Sequence, residues 1–105
     1  MKLIYAIVRN VDSTRVTESL NNEGFYVTKL ASTGGFLREG NTTLLIGTES
    51  DKVDQVIELV KKECGPRQQI VSEPVGSAEF YSTQVMVNVG GAIIFVADVD
   101  RFEKI

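Results

Sequence analysis

The chain has 105 residues, a net charge of −3, 43% apolar residues and 24% charged residues. This length fits one folded domain, the apolar content is too high for a disordered chain, and no run of Lys or Arg supports a module that binds duplex DNA. The single cysteine, Cys64, excludes an internal disulfide and fits a reducing compartment, so we expect a cytoplasmic protein.

The predicted elements begin with a strand over residues 3–8, a continuous β-prone run typical of a strand buried on both faces. Its six apolar residues are too few for a membrane span or for the core of a signal peptide. A helix is predicted to follow and to run to about residue 23. We expect Asp12 to cap this helix, with Val11 and Val16 packing together at the two staple positions around the cap.

Two further strands, over residues 25–31 and 42–47, are predicted to form a hairpin joined by a glycine-containing loop that is longer than a tight turn. A second helix is then expected, with Thr48 and Asp51 in its polar cap and Gly65-Pro66 at its end. It is indicated by an apolar stripe at helical spacing, which consists of Val53, Val56, Ile57 and Val60.

The remaining sequence predicts three strands, over residues 68–72, 84–89 and 92–99. A loop over residues 73–83 is expected between the first and the second of them. Gly90-Gly91 separates the last two strands. The pair permits either a two-residue hairpin turn or a bulge within one long strand.

This order predicts a single domain over residues 1–105 with an α+β fold, a ferredoxin-like β-α-β-β-α-β sandwich. Its antiparallel sheet would carry both helices on one face. No predicted element remains to cover the other face, on which we expect Val85, Val87 and Val89 or their alternates. A half-covered apolar sheet favours a homo-oligomer with its sheets packed together.

The residues that usually carry catalysis are scarce. The chain has no histidine, which removes the commonest general base and metal ligand. Cys64 therefore has neither a histidine partner nor a second cysteine for a metal site. Asp98 and Asp100 are best explained as a solvated rim. We predict that the protein is not an enzyme and has no catalytic residue, no metal and no cofactor.

The loop over residues 33–43 differs from the other loops. Consecutive glycines allow backbone N–H groups to converge into an anion-binding concavity. Phe36 offers a ring that can stack on a base, and the amide of Asn41 can pair with an adenine edge. The loop and its flanks also supply positive charges, from Lys29 and Arg38. They supply hydroxyl groups as well, from Thr28, Thr33, Thr42 and Thr43. A plain hairpin loop with Phe36 in a subunit contact explains this composition equally well.

A resemblance distinguishes between these interpretations. Residues 28–47, TKLASTGGFLREGNTTLLIG, are similar to the signature of the PII-like cyclic di-AMP receptors. Three further segments match in the same order along the chain: residues 4–8 (IYAIV), 64–67 (CGPR) and 89–96 (VGGAIIFV). The chain therefore resembles this family over nearly its whole length.

The resemblance implies a PII-like homotrimer that binds one cyclic di-AMP in each cleft between subunits and signals to an unknown downstream protein. Thr28 and the amides of Gly35 and Phe36 would hold phosphate, with Phe36 also against a base. The Leu37 backbone, Asn41 and Gly47 would contact an adenine. Phe95 would come from the neighbouring subunit.

The chain departs from the family pattern at two places. Tyr26 stands where relatives often carry a basic residue. The alternatives are that a phosphate contact is lost, that Lys29 or Arg38 replaces it, or that Tyr26 stacks on the ligand instead. The loop over residues 73–83 is shorter than in relatives. This difference affects the expected signalling to a partner protein more than the expected ligand binding.

Other functions also fit parts of the sequence. A PII-like protein could bind ATP or ADP, although a triphosphate requires more basic residues than this loop offers. A protein-interaction module could use the glycine loop to hold a partner. An RNA-binding ferredoxin-like domain is disfavoured, because Tyr5 and Phe95 alone do not form the aromatic and basic platform that such sheets carry. We expect no DNA, RNA or membrane partner.

Overall fold

The computed structural model describes residues 1–30, 40–74 and 82–105. Six strands and two α-helices lie in this part of the chain, and a short 3-10 turn, Ser50–Lys52, precedes the second helix. In chain order they are β1 (Lys2–Arg9), α1 (Asn10–Asn22), β2 (Val27–Leu30), β3 (Asn41–Thr48), α2 (Val53–Cys64), β4 (Arg67–Pro74), β5 (Ser82–Val89) and β6 (Ala92–Asp98).

Four of these strands form an antiparallel sheet in the order β2-β3-β1-β6. The first strand is central, as its continuous apolar run predicts, and the last strand returns beside it. Because both helices pack on one face of this sheet, the α+β, ferredoxin-like prediction is confirmed.

The core lies between this sheet and the two helices. Alternate residues of β1 point towards the helices, so Ile4, Ala6 and Val8 are buried while the residues between them belong to the other face. The helices contribute residues at helical spacing, as the stripe in α2 predicts. The fully buried partners of β1 are Val16, Leu20, Leu44, Ile46, Val56 and Val60.

The start of α1 differs from the prediction. The helix begins at Asn10, directly after β1, and Arg9 occupies the cap position without a side-chain cap bond. Asp12 is therefore not the cap. It lies in the first turn, fully buried, with its Oδ1 2.6 Å from Nη2 of Arg15. Val11 is 75% exposed, so the predicted staple with Val16 is also wrong.

Arg15 joins the two helices. Its Nη2 donates to the carbonyl oxygen of Glu63 at 2.9 Å, and its Nε lies 3.1 Å from Oε2 of the same residue. The buried carboxylate of Asp12 therefore serves an inter-helix contact.

The cap of α2 is also formed differently from the prediction, because Thr48 ends β3, Asp51 lies in the 3-10 turn and Lys52 occupies the cap position.

The strand β5 does not belong to the main sheet. It pairs with β4 in a separate two-stranded ladder that runs from Arg67 opposite Val89 to Pro74 opposite Ser82. The prediction that Val85, Val87 and Val89 lie on a face of the main sheet is therefore wrong. Residues 73–74 and 82–83 of the predicted loop belong to this ladder, and residues 75–81 lie outside the described part.

Gly90-Gly91 is neither a hairpin turn nor a bulge. The pair joins β5, in the small ladder, to β6, in the main sheet. Its φ angles are +88° and +89°, values that L side chains rarely adopt, so glycine is required to redirect the chain here. The N–H of Gly91 donates to the carbonyl oxygen of Cys64, which ties this junction to the end of α2.

Gly65 ends α2 under a tight steric constraint. A Cβ at this position would lie 2.8 Å from the carbonyl oxygen of Lys61, which is backbone and cannot move aside cheaply. We expect Gly65→Ala to lower the free energy of unfolding by about 1–3 kcal/mol, measured by urea denaturation. The matched control is Gly47→Ala, where a Cβ would meet only Sδ of Met1 at 3.9 Å. Equal stability of the two variants would contradict this constraint.

Candidate ligand-binding site

The face of the main sheet opposite the helices is called the open face here, because no described helix packs on it. Strand alternation and the pairing register define its residues. Ile93 and Phe95 are 49% and 50% exposed, so part of this surface is apolar and accessible. The open face carries Leu3, Tyr5, Ile7, Thr28, Leu30, Thr43, Leu45, Ile93 and Phe95.

Two predicted site residues lie in one row across this face. Thr28 pairs with Leu45, Leu45 with Tyr5, and Tyr5 with Phe95. Thr28 and Phe95 are therefore on the same face but three strand spacings apart, about 14 Å. Within one chain, Phe95 does not line the groove that contains Thr28.

That groove has a volume of about 790 Å³, within the range of small-molecule sites, and is called the Thr28 groove here. It brings together Thr28 and Gly47, two residues predicted to contact the ligand. Tyr26, 89% exposed, stands beside them. The described residues that line it are Met1, Leu3, Tyr26, Thr28, Leu45, Gly47, Val99, Phe102 and Lys104.

The segment after β6 completes the groove. Val99 donates its N–H to the carbonyl oxygen of Met1 at 3.2 Å, so the chain stays beside the start of β1 as it leaves the sheet. Phe102 and Lys104 then line the groove together with residues of β2 and β3. Phe102 is 63% exposed, which leaves its ring accessible to a ligand.

An ion pair holds the strand end from which this segment leaves. Nζ of Lys2, on β1, donates to Oδ1 of the paired Asp98, on β6. This hydrogen bond and the positive charge of Lys2 lower the pKa of the Asp98 carboxyl. The pair therefore adds stability above the usual carboxyl range and loses it as the pH falls through the lowered pKa. Because Asp98 is exposed, the effect is small.

Asn41 lies at a different place on the open face. It lines a second groove of about 350 Å³, called the Asn41 groove, which also includes Ile7, Arg9 and residues 90–93. Asn41 and Gly47 are at opposite ends of β3, six residues apart, which corresponds to about 20 Å along a strand. In one chain, therefore, the two residues cannot contact the same adenine.

Of the two predicted basic residues, the structure describes Lys29. Lys29 pairs with Leu44, which is fully buried under the helices, so Lys29 belongs to the face opposite Thr28. It therefore cannot replace the basic residue that Tyr26 displaces. Gly35, Phe36, Leu37 and Arg38 lie outside the described residues, and their roles stay predictions.

Several groove residues were not predicted from the sequence. Met1, Leu3 and Leu45 are apolar strand residues with no local signal for ligand contact. Phe102 offers a weak one, because it is an aromatic residue inside the charged run from residue 100 to residue 104.

Two further features concern residues 1–30, 40–74 and 82–105. No group of three or more His, Cys, Asp or Glu residues there could hold a metal ion. No helix in these ranges combines the length and the apolarity needed to cross a bilayer.

Comparison with known proteins supports this description of the fold. The family model described as "Cyclic-di-AMP receptor" matches residues 1–105. The crystal structure of a functionally unknown protein from Pediococcus pentosaceus ATCC 25745 superimposes with a TM-score of 0.80 at 36% sequence identity. That match covers 99% of this chain and 96% of the other. The whole chain therefore has known structural and family counterparts.

Proposed function

Because this chain belongs to the cyclic-di-AMP receptor family, we propose that it is a PII-like signal transduction receptor for the second messenger cyclic di-AMP. It acts as a homotrimer of single-domain subunits and holds its ligand in the clefts between them. Binding signals by favouring one arrangement of the loops over another. The downstream protein target is unidentified, and a cytoplasmic location stays a prediction from the sequence.

The observation that carries this proposal is the composition of the Thr28 groove. Leu3, Leu45 and Val99 give an apolar surface for a flat base, and Tyr26 and Phe102 add aromatic rings that can stack on a base. The hydroxyl of Thr28 can donate to a phosphate oxygen. A base and a phosphate therefore both find complementary groups in one groove.

Asn41 and Gly47 line different grooves of one chain. We assign Gly47 to one adenine and Asn41, with the backbone of Leu37, to a different adenine, because the two strand positions lie about 20 Å apart. Gly35 and Phe36 would hold phosphate together with Thr28. Phe95 would contact the ligand bound by the neighbouring subunit, since it lies about 14 Å from Thr28 in its own chain.

The open face supports the trimer. Ile93 and Phe95, on its edge strand, leave about half of their surface exposed, and Tyr5 and Leu45 lie beside them in the sheet. Apolar surfaces of this kind commonly become buried in an assembly. Packing the open faces of three subunits together would bury these residues and would bring each Phe95 towards a neighbouring subunit.

A mononucleotide such as ATP or ADP fits the groove less well. Among the described residues, Lys104 is the one charged side chain that lines it, and the N-terminal ammonium of Met1, another lining residue, lies 3.9 Å from Oε2 of Glu49. A terminal triphosphate concentrates more negative charge than one lysine balances, whereas each phosphodiester of a cyclic dinucleotide carries a single charge. The charge of the groove therefore favours the dinucleotide.

A thermal-shift screen tests this proposal. Cyclic di-AMP, cyclic di-GMP, ATP and ADP would each be added to the purified protein at the same concentration. We expect cyclic di-AMP to raise the melting temperature most, because a ligand that binds the native state stabilises it by mass action. A larger shift with ATP or ADP would contradict the assignment of the ligand.

A further inference from the structure

We infer that Lys104 supplies the positive charge for ligand phosphate that Tyr26 cannot supply in this chain. The inference rests on the proposed function and adds a specificity-determining residue to it. Lys104 lies at the far end of the sequence from Thr28, yet both residues line the Thr28 groove.

The charge of Lys104 is available to a ligand. The residue is exposed, and it forms no ion pair with any residue of the described ranges. In contrast, Arg101 of the same segment forms an ion pair, with its Nη2 2.6 Å from Oε1 of Glu103. The strand pairing of Lys2 with Asp98 and the hydrogen bond from Val99 to Met1 hold the start of the segment that carries Lys104.

Two other described basic side chains, Lys29 and Arg9, lie away from the Thr28 groove. Lys29 is one residue from Thr28 but belongs to the opposite face of the sheet. Arg9 lines the Asn41 groove, and its strand partner Asn41 is about 20 Å from Gly47 along β3. The N-terminal ammonium of Met1, another residue of the Thr28 groove, lies 3.9 Å from Oε2 of Glu49. Lys104 is therefore the described side-chain cation that lines the groove together with Thr28.

Tyr26 contributes an aromatic ring to the same groove but no charge. It is almost fully exposed and lines the same groove, so its ring can stack on a base, but a phenol offers a single neutral hydrogen bond. A lysine ammonium is a compact charge on a flexible stem and can approach phosphate from another wall of the groove. In this chain the stacking and charge functions are divided between Tyr26 and Lys104.

The test compares cyclic di-AMP affinities by calorimetry for the wild type and charge variants of the full chain. Lys104→Gln should weaken binding about tenfold, because a charge-assisted hydrogen bond to phosphate is lost. Lys104→Arg should retain affinity. Lys29→Gln is the matched control, since it makes the same charge change one residue from Thr28 on the opposite face, and it should bind like the wild type.

Two further readouts separate a phosphate contact from a structural role. The difference between wild type and Lys104→Gln should shrink as salt concentration rises, because salt screens the charge. Adding Tyr26→Arg to Lys104→Gln should restore affinity by placing a positive charge in the same groove. Both results are expected if the charge of Lys104 acts on the ligand, and a difference that stays the same as salt rises would overturn the inference.

The outcomes distinguish this inference from the proposed function. If the wild type binds cyclic di-AMP and Lys104→Gln binds as tightly as Lys29→Gln, the inference is overturned and the proposed function stands. The same holds if Arg38→Gln loses affinity while Lys104→Gln does not. If the wild type does not bind cyclic di-AMP, both are overturned.

Discussion

Gly47→Ala is expected to leave the fold intact and to weaken cyclic di-AMP binding by about tenfold or more. The free protein has room for the added methyl group, because a Cβ would meet only Sδ of Met1 at an ordinary contact distance of 3.9 Å. Alanine is also at least as favourable as glycine in a strand. A base that packs directly on the backbone of Gly47 would, however, be displaced by the methyl group.

Three measurements check this prediction on the same sample. Calorimetry gives the affinity, thermal denaturation should give a melting temperature equal to or above that of the wild type, and light scattering should give an unchanged mass. Unchanged affinity in a folded variant would show that the ligand does not approach Gly47. A lower melting temperature would contradict the free space around this residue.

Tyr5→Glu is expected to dissociate the homotrimer into monomers. Tyr5 lies in the middle of the open face, paired with Leu45 on one side and Phe95 on the other. If three open faces pack together, a carboxylate at this position would be buried without a partner, at a cost of several kcal/mol for each subunit. Light scattering should then report one 11.5 kDa chain where the wild type gives three.

The matched control is Val11→Glu. It replaces an apolar residue by the same charge, but Val11 is already exposed on α1, away from the sheet. We expect this variant to keep the mass of the wild type. A trimeric Tyr5→Glu protein would mean that the subunits associate through a surface other than the open face.

The fold could be predicted where the sequence carries a strong periodic signal. The continuous apolar run of β1 and the apolar stripe of α2 place both elements in the core, and both predictions are confirmed. The start of α1 was predicted wrongly because Asp12 has a typical capping side chain. The structure instead uses its carboxylate for a local pair with Arg15, and Arg15 makes a long-range contact to Glu63 of α2 that no local pattern specifies.

The position of β5 shows a second limit. Its alternating valines identify a strand, but the same alternation fits any sheet, so the sequence does not determine its partner. The structure pairs β5 with β4, and the two glycines at residues 90 and 91 redirect the chain before β6 joins β1.

Some residues of the candidate site could also be predicted from the sequence, and others could not. The family resemblance supplied Thr28 and Gly47, and strand pairing explains why they meet: Thr28 is opposite Leu45, two residues before Gly47 on β3. Phe102 and Lys104 could not be found in this way. Their contact with the groove depends on the path of the chain after β6, which becomes visible only in three dimensions.

The central claim is that this chain binds cyclic di-AMP in preference to other nucleotides, and calorimetry on the purified wild type measures this most directly. We predict one binding event per chain, with a dissociation constant below roughly tens of micromolar. ATP and cyclic di-GMP should bind more weakly under the same conditions. Absence of cyclic di-AMP binding at these concentrations, or tighter binding of either comparator, would contradict the account.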